Sequence, residues 1–211
     1  MSWCISVSAV GSLREEIKPG DICIPDQFID RTKNRKSTFF GNGIVAHVPF
    51  ADPFCLVLSS NLKEVAENNI NDNLSVHFGG TYLCMEGPAF STRAESKIYR
   101  QFGADIIGMT NLPEAKLARE AEMSYATLAM VTDYDCWRSE NSNVDIEEIL
   151  KTLSKNTENA KKVVAGIALK APSLIQPNSI KNVLATSIIT PKEALAENTK
   201  TNLKAIIGKY L

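Results

Sequence analysis

The clearest hydrophobic pattern in the chain is the apolar run from Tyr125 to Val131, which ends in two carboxylates. A run of this length without a charged position is typical of a strand that is buried on both faces. Asp133 and Asp135 follow it, two residues apart. Because open α/β sheets bind their ligands at the carboxyl ends of strands, this acid pair is the first candidate for a functional site.

Four other apolar segments predict further strands, and each lies next to glycine or proline. They are Cys4–Ala9, Asp21–Pro25, Val76–Met85 with an interruption at Gly79-Gly80, and Ala104–Met109. We expect the first to end in a tight turn at Gly11. The polar stretch from Arg31 to Gly43 is predicted to be a loop.

Amphipathic spacing predicts one helix between Pro53 and Asn69. Its predicted buried face consists of Val57, Leu62, Val65 and Ala66. A second helix, Arg93–Phe102, follows Thr92 and Glu95, which have the spacing of a capping box.

Three later helices are predicted from the residues that begin them. Asn111 is expected to cap a helix over Leu112–Met123, and Asp145 with Glu148 has the spacing of another capping box. Pro191 suits the first position of the last helix.

Strands and helices alternate along the chain, so the predicted fold class is α/β, with a mixed, largely parallel sheet flanked by helices. The segments from Ala104 to Val131 indicate a strand, helix, strand unit of the parallel kind. The 211 residues suit one domain.

Composition excludes several classes of function. The net charge is -1 and no basic block occurs, so neither nucleic acid nor an anionic membrane is an expected partner. No apolar run approaches the roughly 20 residues of a membrane span. The odd number of cysteines, without CxxC spacing, argues against zinc or a disulfide framework and favours a cytoplasmic location. The five are Cys4, Cys23, Cys55, Cys84 and Cys136.

Small polar and aromatic residues near other strand ends are further candidates. Backbone N–H groups from Ser8 to Ser12 can bind an oxyanion if this segment is a turn, and Thr110 can do so at a helix start. Phe90 can stack on a planar ligand, and Glu86 can accept a hydrogen bond from a ribose hydroxyl. The structural alternatives are a plain turn, a helix cap, a core aromatic and an exposed loop acid.

The acid pair has the chemistry to bind one edge of a purine. Asp133 and Asp135 can together contact a ring nitrogen and the amino group of a 6-aminopurine. Repulsion between close carboxylates raises the pKa of one of them, which favours a proton donor. Taken singly, each is also a common turn or cap residue. The spacing of His47 and His77 indicates structural histidines rather than metal ligands.

Long collinear stretches of the sequence resemble the trimeric purine nucleoside phosphorylase family, in its branch that cleaves 5′-methylthioadenosine. The stretches are SAVGSLREEIKPGDICIPDQFIDRT and GGTYLCMEGPAFSTRAESKIYRQFGADIIGMTNLPEAKLAREAEMSYATLAMVTDYDCW. The resemblance extends from Ile5 to Lys155, and runs of this length are far more specific than a short motif.

The resemblance implies a set of phosphate and sugar contacts. Ser8, Ala9 and Thr110 are expected to bind phosphate, and Met109 is expected to contact the ribose. His47 is expected to reach the 5′ pocket of a neighbouring subunit in a homotrimer.

It also implies the contacts of the base and of the methylthio group. Phe90 is expected to stack on the base, and Ser91 to help select an aminopurine. Asp133 and Asp135 are expected to bind the purine edge as catalytic residues. Ile146 is expected near the methylthio group.

The implied reaction is the attack of phosphate on the anomeric carbon of 5′-methylthioadenosine, which releases adenine and 5-methylthioribose 1-phosphate. It requires no metal or organic cofactor, since inorganic phosphate is the co-substrate. One alternative is a phosphorylase of another purine nucleoside, such as inosine or adenosine. Another is a catalytically incomplete purine-binding or assembly subunit.

Two features depart from the family pattern. Members carry an upstream segment with a Gly-Thr-Gly phosphate loop and an Arg-His pair, whereas these 211 residues contain no Arg-His dipeptide. Ala89 also replaces a larger polar residue. From the sequence we therefore expect purine recognition to be retained, phosphate capture to be incomplete and apolar strand edges to be exposed.

Overall fold

The computed structural model describes residues 2–70, 74–138 and 146–211, without the side chains of Ile146, Glu148 and Ile149. Its strands are β1 (Trp3–Ser12), β2 (Ile22–Ile24), β3 (Gln27–Arg31), β4 (Val76–Phe78), β5 (Thr81–Met85), β6 (Ile106–Gly108) and β7 (Ser124–Asp133). Its helices are α1 (Leu56–Asn69), α2 (Arg93–Gln101), α3 (Glu114–Glu120), α4 (Ile146–Lys170), α5 (Asn178–Lys181), α6 (Leu184–Ser187), α7 (Glu197–Asn202) and α8 (Lys204–Ile207).

The described strands form one sheet in the order β3-β5-β6-β1-β7-β2-β4. The pairs β1–β7, β2–β4, β3–β5 and β5–β6 are parallel, while β1–β6 and β2–β7 are antiparallel. The predicted α/β class with a mixed, largely parallel sheet is therefore confirmed. The predicted parallel unit from Ala104 to Val131 is wrong, because β1 lies between β6 and β7 and β6 runs against both.

The first strand is longer than the sequence indicated, and the expected turn at Gly11 is absent. Strand β1 pairs with β7 from Trp3 to Gly11, with a register shift between Val10 and Gly11. The glycine therefore permits close packing within the sheet rather than a change of chain direction. A Cβ at this position would lie 3.1 Å from Oδ1 of Asp133.

Two pairs of consecutive strands, β2–β3 and β4–β5, connect opposite ends of the sheet through short kinks in the chain. Strand β2 leads into β3 through Pro25 and Asp26, and β4 leads into β5 through Gly79-Gly80. Pairing continues across both kinks, since the N–H of Gly79 donates to the Ile24 carbonyl at 2.9 Å and that of Asp26 to the Gly80 carbonyl at 3.1 Å. The sheet therefore curls round on itself. Strand β3 was not predicted from the sequence, and it ends where the predicted loop begins.

Strand β7 has apolar side chains on both faces, as its sequence predicted. One face packs with β2, α1 and α4 in a cluster that includes Leu128, Leu62 and Val163. The other face packs with β5, β6 and α3 around Val131 and Ala115. Helix α1 buries Leu58 where the pattern predicted Val57, which is 36% exposed.

The helix starts were predicted with mixed success. Thr92 and Glu95 form the predicted capping box at the start of α2. Asn111 does not cap α3 with its side chain, because its amide bonds to Ser6 and Thr127 instead. The predicted box at Asp145 lies outside the described residues. Pro191 begins only the 3-10 turn Lys192–Ala194, which precedes α7. In the described part of the chain, no helix has the length and apolar character needed to span a membrane.

Candidate active site

A cavity of about 300 Å³ opens beside the middle of β1, where four segments of the chain meet. Because β6 is antiparallel to β1 and Ile107 pairs with Gly11, the chain leaving β6 runs back along β1 towards Ser8. On the other side, Gly11 pairs with Asp133. Seven of the predicted site residues line this cavity: Ser8, Ala9, Phe90, Met109, Thr110, Asp133 and Asp135.

Three hydroxyl groups form a cluster at one end of the cavity. The Oγ of Ser8 lies 2.7 Å from Oγ1 of Thr110 and 3.1 Å from the phenol oxygen of Tyr82, which is itself 3.4 Å from Thr110. The expected turn from Ser8 to Ser12 is wrong, since both residues belong to β1. Ser8 therefore contributes a side-chain hydroxyl from a strand.

Tyr82 is a member of this cluster that the sequence analysis missed. Its side chain is fully buried on β5, and burial raises the pKa of its phenol while Ser8 and Thr110 oppose that shift by hydrogen bonding. It fits only because residue 108 is glycine, since a Cβ there would overlap the phenol oxygen. Nothing in the local sequence pattern indicates this pairing of β5 with β6.

A turn closed by one backbone hydrogen bond brings the two acids together. Asp133 is the last residue of β7, and Asp135 has a left-handed backbone with φ of 51°. The N–H of Asp135 donates to Oδ1 of Asp133 at 2.7 Å. The acids therefore do not lie on one face of a continuing strand. Thr132 donates to Oδ2 of Asp133 at 2.7 Å and also lies 3.2 Å from the carbonyl of Val10.

The electrostatic environment of Asp135 differs from the one that the sequence suggested. Burial is the main cause that raises the pKa of its carboxyl, and the charge of Asp133 adds a smaller effect in the same direction. The hydroxyl of Ser96 on α2 donates to Oδ2 of Asp135 and lowers the pKa. Desolvation, rather than repulsion within the pair, is thus the larger influence.

The segment after the acids is anchored by aromatic contacts. The indole N–H of Trp137 donates to the carbonyl of Ser12 at 2.8 Å. The guanidinium of Arg100 lies 3.5 Å from the centre of the same indole ring. These contacts tie the turn that carries Asp135 to the end of β1 and to α2.

The loop after β5 brings one predicted base contact to the cavity and leaves its neighbour outside. Phe90 lines the cavity and is 58% exposed, so it is not a core residue. Ser91 is buried beside the cavity, and its hydroxyl donates to the sulfur of Met85 at 3.5 Å. The carboxylate of Glu86 accepts a hydrogen bond from the N–H of Lys33 at 2.6 Å.

Arg35, which the sequence analysis placed in a polar loop, connects the loops on two sides of the cavity. Its guanidinium donates to the carbonyls of Met109 at 2.9 Å, Leu112 at 2.6 Å and Glu86 at 2.7 Å. Its Nε also donates to the Glu86 carboxylate at 3.1 Å. The planar fork of an arginine suits several carbonyl acceptors at once.

Besides Ser91, two predicted site residues are not placed at the cavity. His47 is exposed, and its backbone N–H donates to the carbonyl of Ser187 at 2.9 Å. The side chain of Ile146 lies outside the described residues. His77 has the structural role that its position in a strand predicted, since its Nε2 lies 2.8 Å from Oδ2 of Asp21. In the parts of the chain that the structure describes, no three His, Cys, Asp or Glu side chains are grouped to hold a metal ion.

Comparison with known proteins places this chain in a family. The profile of the phosphorylase superfamily matches residues 2–168. The S-methyl-5'-thioadenosine phosphorylase of Thermosynechococcus vestitus is 50% identical over 212 residues, covering 100% of this chain and 73% of that protein. The protein of the same name from Geobacter sulfurreducens is 52% identical over 208 residues, covering 98% of this chain and 71% of that protein.

Solved structures give the same result. A methylthioadenosine phosphorylase from an antarctic soil metagenomic library superposes with a TM-score of 0.91 and 50% identity, covering 98% of this chain and 72% of that one. The methylthioadenosine phosphorylase of Schistosoma mansoni in complex with adenine has a TM-score of 0.83 and 32% identity, covering 92% of this chain and 74% of that one. The chain belongs to the phosphorylase superfamily.

Proposed function

We propose that this chain catalyses the phosphorolysis of 5′-methylthioadenosine to adenine and 5-methylthioribose 1-phosphate. The observation that carries the proposal is the single cavity that contains both the Ser8–Thr110 hydroxyl pair and the Asp133–Asp135 acid pair. The names of relatives about 50% identical to the chain support the same substrate.

The reaction requires polar groups at both ends of such a cavity. The bond between the anomeric carbon and the base nitrogen breaks, and a phosphate oxygen bonds to the carbon. Positive charge develops on the sugar and negative charge on the base. An acid at the base relieves the second charge, and a positioned proton donor contributes roughly 10²–10⁴-fold to the rate.

The two acids have different hydrogen-bond partners, which suggests different roles at the purine edge. The hydroxyl of Thr132 has acceptors on both Asp133 and Val10, so it can donate to either one. The two oxygens of Asp133 accept from the N–H of Asp135 and the hydroxyl of Thr132, and we assign Asp133 to contact the ring nitrogen N7. Ser96 donates to Asp135 and favours its ionised form, so we assign Asp135 to accept from the 6-amino group.

At the other end, the hydroxyls of Ser8 and Thr110, together with the backbone of Ala9, are the proposed phosphate contacts. Among the described residues that line the cavity there is no lysine or arginine. Hydroxyl donors without a cation bind phosphate more weakly than charge-assisted donors do. We therefore expect a high KM for phosphate, in keeping with the expectation from the sequence.

The remaining lining residues suit the nucleoside. Phe90 exposes a ring face at the cavity, and we assign it to stack on the purine. Met109, next to Thr110, is assigned to contact the ribose. We further propose that the exposed His47 completes the 5′ pocket of a neighbouring subunit in a homotrimer. Light scattering of the purified protein tests the trimer, and a raised KM for the nucleoside in His47→Ala would support the role of the histidine.

The first experiment measures adenine release from 5′-methylthioadenosine with and without phosphate. We expect release only with phosphate, and we expect Asp133→Asn and Asp135→Asn each to lower kcat/KM by at least about 100-fold. A folded protein that releases no adenine at any phosphate concentration would overturn the proposal.

The absence of a lysine or arginine among the described lining residues also favours a second candidate, a non-catalytic purine-binding subunit. Calorimetry separates the two. Binding of adenine with no measurable binding of phosphate fits only the subunit, whereas binding of both fits the enzyme.

A further inference from the structure

A buried serine on α2 contacts the acid pair from outside the cavity. Ser96 is 0% exposed, and its hydroxyl donates to Oδ2 of Asp135, 39 positions further along the chain. The capping box of Thr92 and Glu95 fixes the first turn of the same helix. The serine hydroxyl is therefore held in place by a rigid element that does not itself line the cavity.

We propose that Ser96 is a positioning residue that holds Asp135 as a hydrogen-bond acceptor and thereby sets the preference of the cavity for 6-aminopurines over 6-oxopurines. The proposal rests on the function proposed above. It concerns the selectivity of the site. Because Ser96 does not line the cavity, it acts on selectivity through Asp135 and not through contact with the purine.

Adenine and hypoxanthine differ in the protonation state of Asp135 that favours their binding. The exocyclic amino group of adenine donates, and an ionised carboxylate, whose two oxygens both accept, is a stronger acceptor for it than a protonated carboxyl. The exocyclic oxygen of hypoxanthine accepts and needs a donor, which a protonated carboxyl provides. Burial and the charge of Asp133 both favour the protonated form of Asp135, whereas the hydrogen bond from Ser96 favours the ionised form.

The hydrogen bond from Ser96 also determines which carboxylate oxygen of Asp135 remains available to the ligand. With Oδ2 of Asp135 bonded to Ser96, Oδ1 is left to accept from the ligand. The thiol of Cys136 lies 4.0 Å from the same Oδ2, but its shorter contact is the carbonyl of Ser91 at 3.2 Å. The backbone N–H of Cys136 also donates to the Asp135 carboxylate and lowers its pKa, after Ser96 in size of effect. Among the described side chains, the titratable groups that interact with Asp135 are Asp133, Cys136 and Tyr99 on α2, and neither the thiol nor the phenol donates a comparably short hydrogen bond to it.

The first test needs no catalysis. The chain is labelled with ¹³C at aspartate carboxyl carbons, and the Asp135 signal is assigned by its loss in Asp135→Asn. We expect its titration midpoint to rise in Ser96→Ala and to return towards the wild-type value in Ser96→Thr, which restores the hydroxyl. An unchanged midpoint in Ser96→Ala would overturn the proposal, whatever the activity of the protein.

The second test measures selectivity. In Ser96→Ala we expect the ratio of adenine to hypoxanthine affinity to fall by about tenfold, as the loss of a hydrogen bond to a charged group implies. Ser59→Ala is the matched control, since Ser59 is a buried serine on α1 and its hydroxyl has no hydrogen-bond partner among the described residues. We expect it to leave the ratio unchanged, and equal losses in both variants would count against the proposal.

A double-mutant cycle completes the test. If Ser96 acts through Asp135, Ser96→Ala should have no further effect on the ratio in the Asp135→Asn background. An additive effect would contradict this coupling. A protein that binds neither purine while its Asp135 midpoint still shifts would instead contradict the proposed function and leave the hydrogen bond itself established.

Discussion

The hydroxyl of Ser8 lies 2.7 Å from the hydroxyl of Thr110, although 102 positions separate the two residues in the chain. The contact forms because β6 runs antiparallel to β1 and its carboxyl end passes the middle of β1. Two hydroxyls at this spacing can donate to two oxygens of one phosphate. The relationship therefore defines the proposed phosphate end of the cavity.

The first prediction concerns these hydroxyls. Ser8→Ala and Thr110→Val each remove one donor, and we expect the KM for phosphate to rise by about tenfold, equivalent to one net hydrogen bond. The KM for the nucleoside should change little. Steady-state kinetics at varied phosphate concentration give both constants, and a rise confined to the nucleoside KM would place these residues elsewhere in the site.

Tyr82 provides a second prediction. Tyr82→Phe keeps the buried ring and removes the phenol that contacts Ser8 and Thr110. We expect the KM for phosphate to rise about threefold to tenfold, because the two hydroxyls lose a common partner that orients them.

The matched control is Tyr125→Phe. The phenol of Tyr125 bonds to Glu114 at 2.5 Å, and none of Ser8, Tyr82 and Thr110 is among its hydrogen-bond partners. Tyr125→Phe should lower the melting temperature without changing the KM for phosphate. Equal kinetic effects of the two variants would show that a general loss of stability is the cause.

The sequence predicted the parts of the site that lie within single segments. Strand β7, the acids at its carboxyl end and the capping box of α2 each depend on a local pattern, and the structure places them close to where that pattern indicated. Seven predicted residues line one cavity, although their roles stay predictions.

The features that the sequence analysis missed depend on long-range pairing. Tyr82, Ser96 and Arg35 reach the site only because particular strands and loops become neighbours, and no periodicity encodes those pairings. The direction of β6 was mispredicted for the same reason, since its short apolar run fits either direction. Strand β3 was missed because its five residues include Gln27 and Asp30, which are typical of an edge strand rather than a core strand.

Stacking by Phe90 leads to a third prediction. Phe90→Ala should raise the KM for the nucleoside by roughly tenfold, because stacking of a base on an aromatic ring contributes about 1–3 kcal/mol. Since the side chain is 58% exposed, the melting temperature should change little. Phe54→Ala, at a buried aromatic, should instead cost about 3–5 kcal/mol of stability. An unchanged KM in Phe90→Ala would exclude the stacking role.

A fourth prediction concerns Arg35. Arg35→Lys keeps the charge but loses the fork that contacts several carbonyls, so we expect kcat/KM to fall about tenfold or more. Arg14→Lys is the control, because Arg14 forms a partly exposed ion pair with Asp105, and such pairs contribute about 0–1 kcal/mol. Full activity of Arg35→Lys would show that a positive charge at this position is enough and that the guanidinium fork is not required.

The buried carboxyl of Asp135 gives a prediction about pH and stability. Because burial raises its pKa, the folded chain holds this proton more tightly than the unfolded chain does. The contribution of Asp135 to stability is therefore largest at low pH and falls as the pH rises through the range between the ordinary and the raised pKa. We expect Asp135→Asn to raise the melting temperature at pH 7 and to lose this advantage in acid.

Thermal unfolding of wild-type protein and Asp135→Asn across this pH range measures the difference. Asp30→Asn is a control of opposite sign, since hydrogen bonds from Lys116 and Thr32 outweigh burial and lower the pKa of Asp30. It should be less stable than wild type at neutral pH. A lower melting temperature of Asp135→Asn than of wild type at pH 7 would show that the ionised carboxylate does not destabilise the folded chain.

The most direct measurement of the central claim is the product stoichiometry. Purified protein is incubated with 5′-methylthioadenosine and phosphate, adenine is quantified by chromatography, and the sugar phosphate by ³¹P NMR. We predict one 5-methylthioribose 1-phosphate for each adenine, with both absent when phosphate is omitted. Adenine released without a matching phosphate ester would contradict the account, because it would identify water as the nucleophile.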